Sequence, residues 1–255
     1  RKAFQEQLRA GDLSSVAIDV HAQIAGGATM LDVNMGAPFV DEPEMLANAI
    51  KLIQSITDLP LCIDSSVFEA LEAGLAAYEG KALINSVTAE DERMEMIFPL
   101  VKKYGGAIIA LPNDEFEIPD APERRLELVD HIVRTATDKY GIPIEDIVID
   151  PLAMPIGADS TMVVRTLETI QMIREKYDLN TTLGASNVSF GMPDRHTLNS
   201  VFIPMAMQSG LTSAIMDSRT DQIVTAVRAA DLMKGNDEWG ANWIAEHRAK
   251  IATAS

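Results

Sequence analysis

The feature that most limits the fold is a regular alternation between short apolar segments and longer amphipathic ones. The longer segments, such as "MVVRTLETIQMIREKY", carry apolar residues at helical spacing. Apolar strands that alternate with helices are typical of a parallel sheet covered on both faces. Seven short segments are predicted to be strands: Met30–Met35, Leu61–Ser65, Ala82–Val87, Ala107–Pro112, Ile147–Pro151, Thr182–Ser189 and Ser213–Ser218.

Two closures of such a sheet are compatible with the pattern: an open doubly wound sheet and an eight-stranded barrel. No linker or low-complexity stretch interrupts the alternation, so one domain over residues 1–255 is predicted. The first helix is predicted to begin near Leu13, and no strand is predicted before it. We favour an α/β fold of the (β/α)8 TIM-barrel type with its first strand apparently missing, because polar residues end nearly all seven strands.

Composition excludes several classes of function. The 255 residues have a formal net charge of -17 at pH 7, and this charge disfavours binding to nucleic acid. The single cysteine, Cys62, excludes an internal disulfide and a cysteine-rich metal site. No apolar run approaches the length of a membrane span, and the charged start does not resemble a signal peptide. A cytoplasmic protein without a membrane partner is expected.

The predicted strands end in carboxylates and carboxamides. In a parallel barrel the active site forms where the carboxyl ends of the strands meet. No histidine pair has metal-binding spacing, so no metal site is predicted. No strand ends in lysine, which disfavours a Schiff-base aldolase, and no glycine-rich dinucleotide motif follows a strand. Such a set suits a flat heterocycle with several N–H donors and ring acceptors. The strand-end residues are Asp32, Asn34, Asp64, Asn85, Asn113, Asp150, Asn187 and Asp217.

Each of these residues also has a structural interpretation. Asp64 and Asp217 could cap the helices that follow them, and Asp150 precedes a proline, a pair that often begins a turn. Asn85 and Asn187 could satisfy backbone groups at strand ends. These interpretations are reasonable one by one, but together they do not explain why the same two residue types end so many strands.

Six motifs occur in order at the strand ends: "LDVNMGAP", "CIDSS", "INSVTAE", "VIDPLAMPIG", "GASNVSFGMPDR" and "MAMQSGLTSAIMD". Together they resemble the pterin-binding methyltransferases, which include the methyltetrahydrofolate:corrinoid protein methyltransferases and the folate module of cobalamin-dependent methionine synthase. The resemblance runs from about Leu13 to Arg248. It implies a (β/α)8 barrel, and this chain begins after the position of the first strand in that family.

The resemblance also implies roles for individual residues. Asp64 would accept hydrogen bonds from the amino-pyrimidine edge of the pterin, and Asn85 and Asp150 would be further pterin contacts. Asn187 would reach N5 of the pterin and act as the catalytic residue, while Arg195 would lie near the aminobenzoyl-glutamate tail. One departure is Phe190, where the corrinoid enzymes of the family often have glutamine.

The implied activity is methyl transfer between methyltetrahydrofolate and a corrinoid, in either direction. Tetrahydrofolate or methyltetrahydrofolate would be the substrate, cobalamin would be carried by a partner corrinoid protein, and the enzyme would be a homodimer. Two rival functions remain open: a dihydropteroate synthase and a non-catalytic folate-binding subunit. The synthase needs basic groups for a diphosphate leaving group, and Arg195 is the one basic residue in the strand-end motifs.

Overall fold

A parallel sheet forms the centre of the computed structural model, which describes residues 2–254. Each strand pairs in parallel with the next one along the chain. The carboxyl ends of all six strands therefore lie at the same edge of the sheet. The strands are β1 Leu31–Val33, β2 Leu61–Asp64, β3 Leu83–Thr88, β4 Ala107–Leu111, β5 Ile147–Ile149 and β6 Asn180–Thr181.

Helices connect the strands and cover the sheet. They are α1 Lys2–Arg9, α2 Ser14–Ala25, α3 Glu42–Ile56, α4 Phe68–Ala77, α5 Asp91–Tyr104, α6 Pro122–Arg134, α7 Met162–Tyr177, α8 Arg195–Ser209, α9 Asp221–Met233 and α10 Ala241–Ala254. A π-helical turn at Thr135–Lys139 continues α6, and 3-10 turns lie at Ile144–Asp146 and Glu238–Gly240. The helix predicted near Leu13 is α2, while α1 was not predicted.

Local sequence signals account for several helix ends. The Asp41 side chain accepts a hydrogen bond from the backbone N–H of Glu44 at 3.2 Å, and a proline lies in the first turn of α3. Both features favour a helix start. Gly105 ends α5 with a φ of 63°, a left-handed conformation that glycine adopts without strain. The chain then enters β4 two residues later.

The prediction was correct for five strands and wrong about the bounds of the sixth. The segment Thr182–Ser189 was predicted as a strand, but β6 ends at Thr181. A turn begins two residues after Thr182, where the backbone N–H of Asn187 donates to the carbonyl oxygen of Gly184 at 3.1 Å. Leu183, Ala185 and Val188 are buried around this turn, and these apolar residues explain why the segment resembles a strand in the sequence.

The seventh predicted strand, Ser213–Ser218, lies beside β6 as an extended segment with one isolated parallel bridge between Gly184 and Ile215. The backbone N–H of Ser213 donates to Thr181 at 3.0 Å, and that of Ile215 donates to Leu183 at 2.8 Å. We call residues 213–218 the seventh segment. It continues the sheet in the predicted order.

The sheet remains open between β1 and the seventh segment in the part of the chain that the structure describes. Helix α2 bridges this gap, because the Ser218 hydroxyl donates to the carbonyl oxygen of Gln23 at 2.7 Å. A Cβ atom at Gly26 would lie 2.0 Å from the carbonyl oxygen of Ser218, so this close approach requires glycine. The architecture is that of a (β/α)8 barrel with an open sheet, as predicted.

The core lies on both faces of the sheet. Ile63, Ile84, Ile108 and Ile149 on the central strands have no exposed surface. A second buried cluster packs α8 against the residues that follow β6: Leu183, Ala185, Phe202, Ile203 and Ala206. Within residues 2–254, no helix combines the length and the apolar character needed to cross a membrane.

Candidate active site at the strand ends

The first three strands bring four predicted polar residues into one cluster. Asp64 at the end of β2 is the register partner of Asn85 within β3. Asn34, which follows β1, donates from Nδ2 to Asp64 Oδ2 at 2.9 Å. Asn85 donates from Nδ2 to Asp32 Oδ1 at 3.4 Å. Each carboxylate therefore has one carboxamide partner and keeps further lone pairs for a ligand.

The environment of Asp64 is electrostatically unusual. Burial raises the pKa of Asp64 to about 6, and the negative charges of Asp32 and Glu42 act in the same direction, whereas the hydrogen bond from Asn34 opposes them. Asp64 does not cap the next helix, because α4 begins after Val67 without a side-chain cap. A partly buried carboxylate that lacks a cationic partner is suited to accept N–H groups from a bound molecule.

The neighbouring Cys62 does not contribute a nucleophile. Burial raises the pKa of its thiol well above the ordinary value, and the negative charge of Asp32 acts in the same direction. The thiol therefore stays neutral near pH 7, and the neutral form is a poor nucleophile.

A cavity of about 290 Å³ opens between the loops that follow β2 and β3. Its lining includes Asp64, Asn85, Thr88 and Arg93. Arg93, in the first turn of α5, was not predicted as a site residue. Its Nη1 lies 3.4 Å from the carbonyl oxygen of Ser66. A basic residue in a first helical turn, where acidic residues are favoured, is the sequence signal that could have identified it.

Two larger surface clefts, of about 510 and 470 Å³, lie at α9 and α10. Trp243 lines both of them, and Trp239 lines the larger one. They are separate from the strand ends and contain none of the predicted site residues.

Asp150 lies directly after β5, where its backbone N–H donates to the carbonyl oxygen of Ala110 at 3.0 Å. Burial raises the pKa of Asp150 to about 6. Its Oδ1 accepts from the backbone N–H of Leu152 at 2.8 Å, so Asp150 does begin a turn, as the structural interpretation predicted. The other carboxylate oxygen takes no part in this turn. Asp150 can therefore both begin a turn and contact a ligand.

Asn187 lies in the turn after β6, and its side chain is exposed. The carboxamide folds back over Gly184, because a Cβ atom at Gly184 would lie 3.0 Å from Asn187 Nδ2. The loop after β5 connects to this turn through the backbone N–H of Ile156, which donates to the carbonyl oxygen of Val188 at 2.9 Å. Asp150 and Asn187 therefore lie on two loops that contact each other at the same edge of the sheet.

Arg195 stabilises the Asn187 turn from the first position of α8. Its Nη2 donates to the carbonyl oxygen of Ser186 at 2.6 Å, and its Nε donates to the Ser189 hydroxyl at 3.1 Å. The guanidinium carbon lies 5.8 Å from the centroid of the Phe190 ring. Most of the guanidinium is thus engaged within the loop, a contact that the sequence did not indicate.

The other strand-end residues have structural partners. Hydrogen bonding to Arg219 lowers the pKa of Asp217 to about 2, and the two side chains form an ion pair at 2.8 Å. The carbonyl oxygen of Asn113 accepts from the backbone N–H of Ala89 at 2.8 Å. Across the described residues, no group of three or more histidine, cysteine, aspartate or glutamate side chains could hold a metal ion.

Comparison with known proteins identifies the class. A family model described as pterin binding enzyme matches residues 2–217. The chain therefore belongs to the pterin-binding enzymes. It is 33% identical over 219 residues to the methylcorrinoid:tetrahydrofolate methyltransferase of Eubacterium limosum, an alignment that covers 85% of this chain and 80% of that protein.

The chain is also 34% identical over 228 residues to methionine synthase of Mycobacterium tuberculosis. That alignment covers 84% of this chain and 19% of the synthase, so the similarity concerns one part of a much longer protein.

Among solved structures, the fold is similar to that of dihydropteroate synthases. The enzyme from Xanthomonas albilineans superposes with a TM-score of 0.71 at 17% identity, over 87% of this chain and 85% of that chain. The enzyme from Yersinia pestis has a TM-score of 0.70 at 14% identity, over 88% and 89% of the two chains. At these identities the similarity concerns the fold alone.

Proposed function

We propose that this protein transfers a methyl group between N5 of methyltetrahydrofolate and the cobalt of a corrinoid held by a partner protein. The observation that carries the proposal is the set of two desolvated carboxylates, Asp64 and Asp150, at one edge of the sheet with Asn85 and Asn187. The named activity of the Eubacterium limosum relative supports the same chemistry.

The pterin ring matches the hydrogen-bonding capacity of these groups. Ionised Asp64 can accept two parallel N–H bonds from an amino-pyrimidine edge, which is a strong, charge-assisted arrangement. Asn85 adds one carboxamide on the neighbouring strand β3, and Asp150 adds one carboxylate directly after β5. In this proposal the three residues hold the pterin ring in a fixed orientation, which is a large part of the catalytic task.

The chemistry at N5 requires little more from the protein. A reduced corrinoid supplies the nucleophile, so the site needs no lysine, cysteine or histidine of its own. As the bond from N5 to methyl breaks, the methyl group would pass to the corrinoid, and N5 keeps the electron pair of the broken bond and gains a proton that water delivers. The carboxamide oxygen of Asn187 accepts a hydrogen bond from protonated N5, and this bond is strongest in the transition state. Transfer in the reverse direction passes through the same transition state and uses the same residue.

A partner protein must reach the strand ends for this transfer. Three phenylalanines in the loops after β1, β4 and β6 are highly exposed: Phe39 at 96%, Phe116 at 84% and Phe190 at 65%. Aromatic side chains are enriched in protein interfaces relative to the remaining surface. We propose that this rim contacts the corrinoid protein, and that Phe190 provides apolar packing where a related enzyme would have a glutamine.

An anaerobic assay with methyltetrahydrofolate and free cob(I)alamin tests the activity. We expect the absorbance of methylcob(III)alamin to appear, and the reverse reaction with methylcob(III)alamin and tetrahydrofolate to proceed as well. Folate binding without transfer in either direction would contradict the proposal and support a non-catalytic folate-binding subunit. Condensation of a pterin diphosphate with an aromatic amine would support a synthase.

The same proposal includes a cytoplasmic location and a homodimer. The exposed residues Val201 and Met205 lie one turn apart on α8, while Phe202, Ile203 and Ala206 of the same helix are buried. The apolar segment that suggested a dimer in the sequence therefore has a core side and an exposed side. The exposed side is the surface that we propose for subunit contact.

A further inference from the structure

One buried arginine connects the loops that follow β4 and β5. Arg125, in the first turn of α6, has no exposed surface. Its Nε donates to the carbonyl oxygen of Pro119 at 2.7 Å. Its Nη1 donates to the carbonyl oxygens of Pro151 and Leu152 at 2.8 and 3.0 Å. Pro151 and Leu152 directly follow Asp150, so this guanidinium holds the turn that carries the carboxylate.

The backbone of that turn is strained. Leu152 has a φ of 62°, a left-handed conformation that is uncommon for residues other than glycine. The strained residue is held from both sides. Its N–H donates to Asp150 Oδ1, and its carbonyl oxygen accepts from Arg125 and lies 3.2 Å from the Thr166 hydroxyl on α7. Strain of this kind persists only where surrounding contacts maintain it, and such positions are common at functional sites.

The charge of Arg125 also acts on Asp150. Burial lowers the pKa of Arg125, and the negative charges of Asp120 and Asp150 oppose that effect. In return, the positive charge of Arg125 opposes the effect of burial on the pKa of Asp150. The remaining charged neighbour is Arg165 on α7, which pairs with Asp120 at 3.5 Å. A buried guanidinium is energetically unfavourable without such compensation, so the two groups depend on each other.

We propose that Arg125 and Thr166 are positioning residues for Asp150, because they hold its turn in the strained conformation that presents the carboxylate. This inference rests on the proposed function, in which Asp150 contacts the pterin. Neither residue touches the substrate in this account. Both act through the backbone of Leu152 and, for Arg125, through charge.

Two threonines on α7 form a matched pair for the first test. Thr166 and Thr169 are both buried and both donate to the carbonyl oxygen four residues earlier, at 2.9 and 2.8 Å, but Thr166 also contacts Leu152. Thr166→Val is expected to weaken methyltetrahydrofolate binding about threefold in calorimetry, the loss of one shared hydrogen bond. Thr169→Val is expected to bind as wild type does.

We call the contacts of Arg125 and Thr166 with Leu152 the clamp. A rescue variant distinguishes an effect of the clamp from an effect of general packing. Glycine adopts a φ of 62° without strain, so Leu152→Gly reduces the need for the clamp. The double variant Leu152→Gly/Thr166→Val is expected to bind methyltetrahydrofolate with the same affinity as Leu152→Gly alone. A simple packing role for Thr166 predicts no such recovery.

The charge is tested without folate by following the carboxyl carbons in NMR titrations, with Asp150→Asn to assign the signal. Arg125→Met is expected to raise the pKa of Asp150 by about one unit, and to weaken folate binding at pH 6 about fivefold. Arg125→Lys keeps the charge but loses the fork of donors, so it should shift the titration less while still weakening binding at pH 8.

Equal folate affinity in the two valine variants would overturn the clamp, and an unchanged Asp150 titration in Arg125→Met would overturn the charge effect. If Arg125→Met does not fold, the valine pair and the glycine rescue still decide the matter. If the wild-type protein binds no methyltetrahydrofolate, the proposed function fails, whereas the carboxyl titration still tests the link between Arg125 and Asp150.

Discussion

Three aspartates at the strand ends show how neighbours determine the behaviour of one residue type. Burial raises the pKa of Asp64 and that of Asp150 to about 6. Asp217, which accepts hydrogen bonds from Arg219 and Gln23, has a pKa lowered to about 2. The first two carboxylates lack an ion-pair partner and are available to a ligand, whereas the third is part of a structural ion pair.

The raised pKa of Asp64 makes a prediction about stability. Between pH 4 and 6 the folded protein holds a proton on Asp64 that the unfolded chain releases, so the contribution of Asp64 to stability decreases as the pH rises through this window. Asp64→Asn removes this penalty and is expected to increase the free energy of unfolding at pH 8 by about 1–2 kcal/mol. Urea unfolding at pH 8 and pH 4 measures this difference in the free energy of unfolding. Equal stability of variant and wild type at pH 8 would contradict the prediction.

The same variant should lose function. Without a charged acceptor for the N–H groups of the pterin, Asp64→Asn and Asp64→Ala are expected to weaken methyltetrahydrofolate binding by about 1.5–3 kcal/mol. In the wild type, protonation of Asp64 should lower the affinity by about tenfold per pH unit below pH 6, and protonation of Asp150 should add a comparable decrease. Calorimetry across this pH range provides the measurement. An affinity that Asp64→Ala leaves unchanged would reject Asp64 as the pterin anchor.

Asn187 should affect rate more than binding. Asn187→Ala is expected to slow single-turnover methyl transfer about 10²–10³-fold, because it removes one preorganised hydrogen-bonding group. The folate dissociation constant should increase by no more than about tenfold. Asn113→Ala, at another strand end, is the matched control and should retain the wild-type rate. If Asn187→Ala transfers methyl at a rate within twofold of the wild-type rate, Asn187 has only a structural role in the turn after β6.

At the scale of elements, the turn after β6 depends on the space above one glycine. The Asn187 carboxamide lies over Gly184, and a Cβ atom there would approach Nδ2 to 3.0 Å and Oδ1 to 3.3 Å. Arg195 holds the other side of the turn through Ser186 and Ser189. The orientation of the carboxamide therefore depends on the conformation of the turn and on Arg195 at the start of α8.

Gly184→Ala is expected to displace this carboxamide and slow methyl transfer about tenfold or more, because a small misplacement of a catalytic group has a large effect on rate. Gly157→Ala, in the loop after β5, is the control. Its new Cβ would be 3.3 Å from the flexible Met192 side chain and does not contact Asn187. Single-turnover kinetics and thermal melting compare the two variants. Equal rates would show that the space above Gly184 is not used to orient Asn187.

At the scale of the whole molecule, one exposed apolar strip suggests assembly. Val201 and Met205 on α8 are 57% and 44% exposed, and Val164 on α7 is 55% exposed. Apolar contact between two copies along this strip would form a symmetric interface. The strip contains none of the predicted site residues, so the proposed contact does not require them.

Light scattering at micromolar concentration is expected to give the mass of a dimer. Met205→Lys should produce monomers, because it places a charge in the centre of the proposed contact. Ile18→Lys, which changes an exposed apolar residue on α2, should leave the mass unchanged. A wild-type protein that scatters as a monomer would contradict the dimer.

Much of the fold follows from local periodicity. The alternation of apolar strands and amphipathic helices specified a parallel sheet, and the polar residues near the strand ends indicated the edge that carries the candidate site. The last part of the sheet was harder to predict. Val188 and Ser189 are buried although they lie in a turn, so a short segment with buried apolar residues is not distinguished from a strand by its sequence pattern.

The sequence by itself determined the alternation of strands and helices from α2 onward, the edge of the sheet that carries the candidate site and the residue types found there. The tertiary structure alone decided the hydrogen bond from Asn34 to Asp64, the raised pKa of Asp150 and the complete burial of Arg125. Arg125 lies on the same helical face as Leu128 and Ile132, a hint that an arginine faces the core, but its acceptors come from two separate loops. The reason is physical: periodicity is a local property of the chain, whereas burial, charge and hydrogen-bond partners depend on residues that are brought together only by folding.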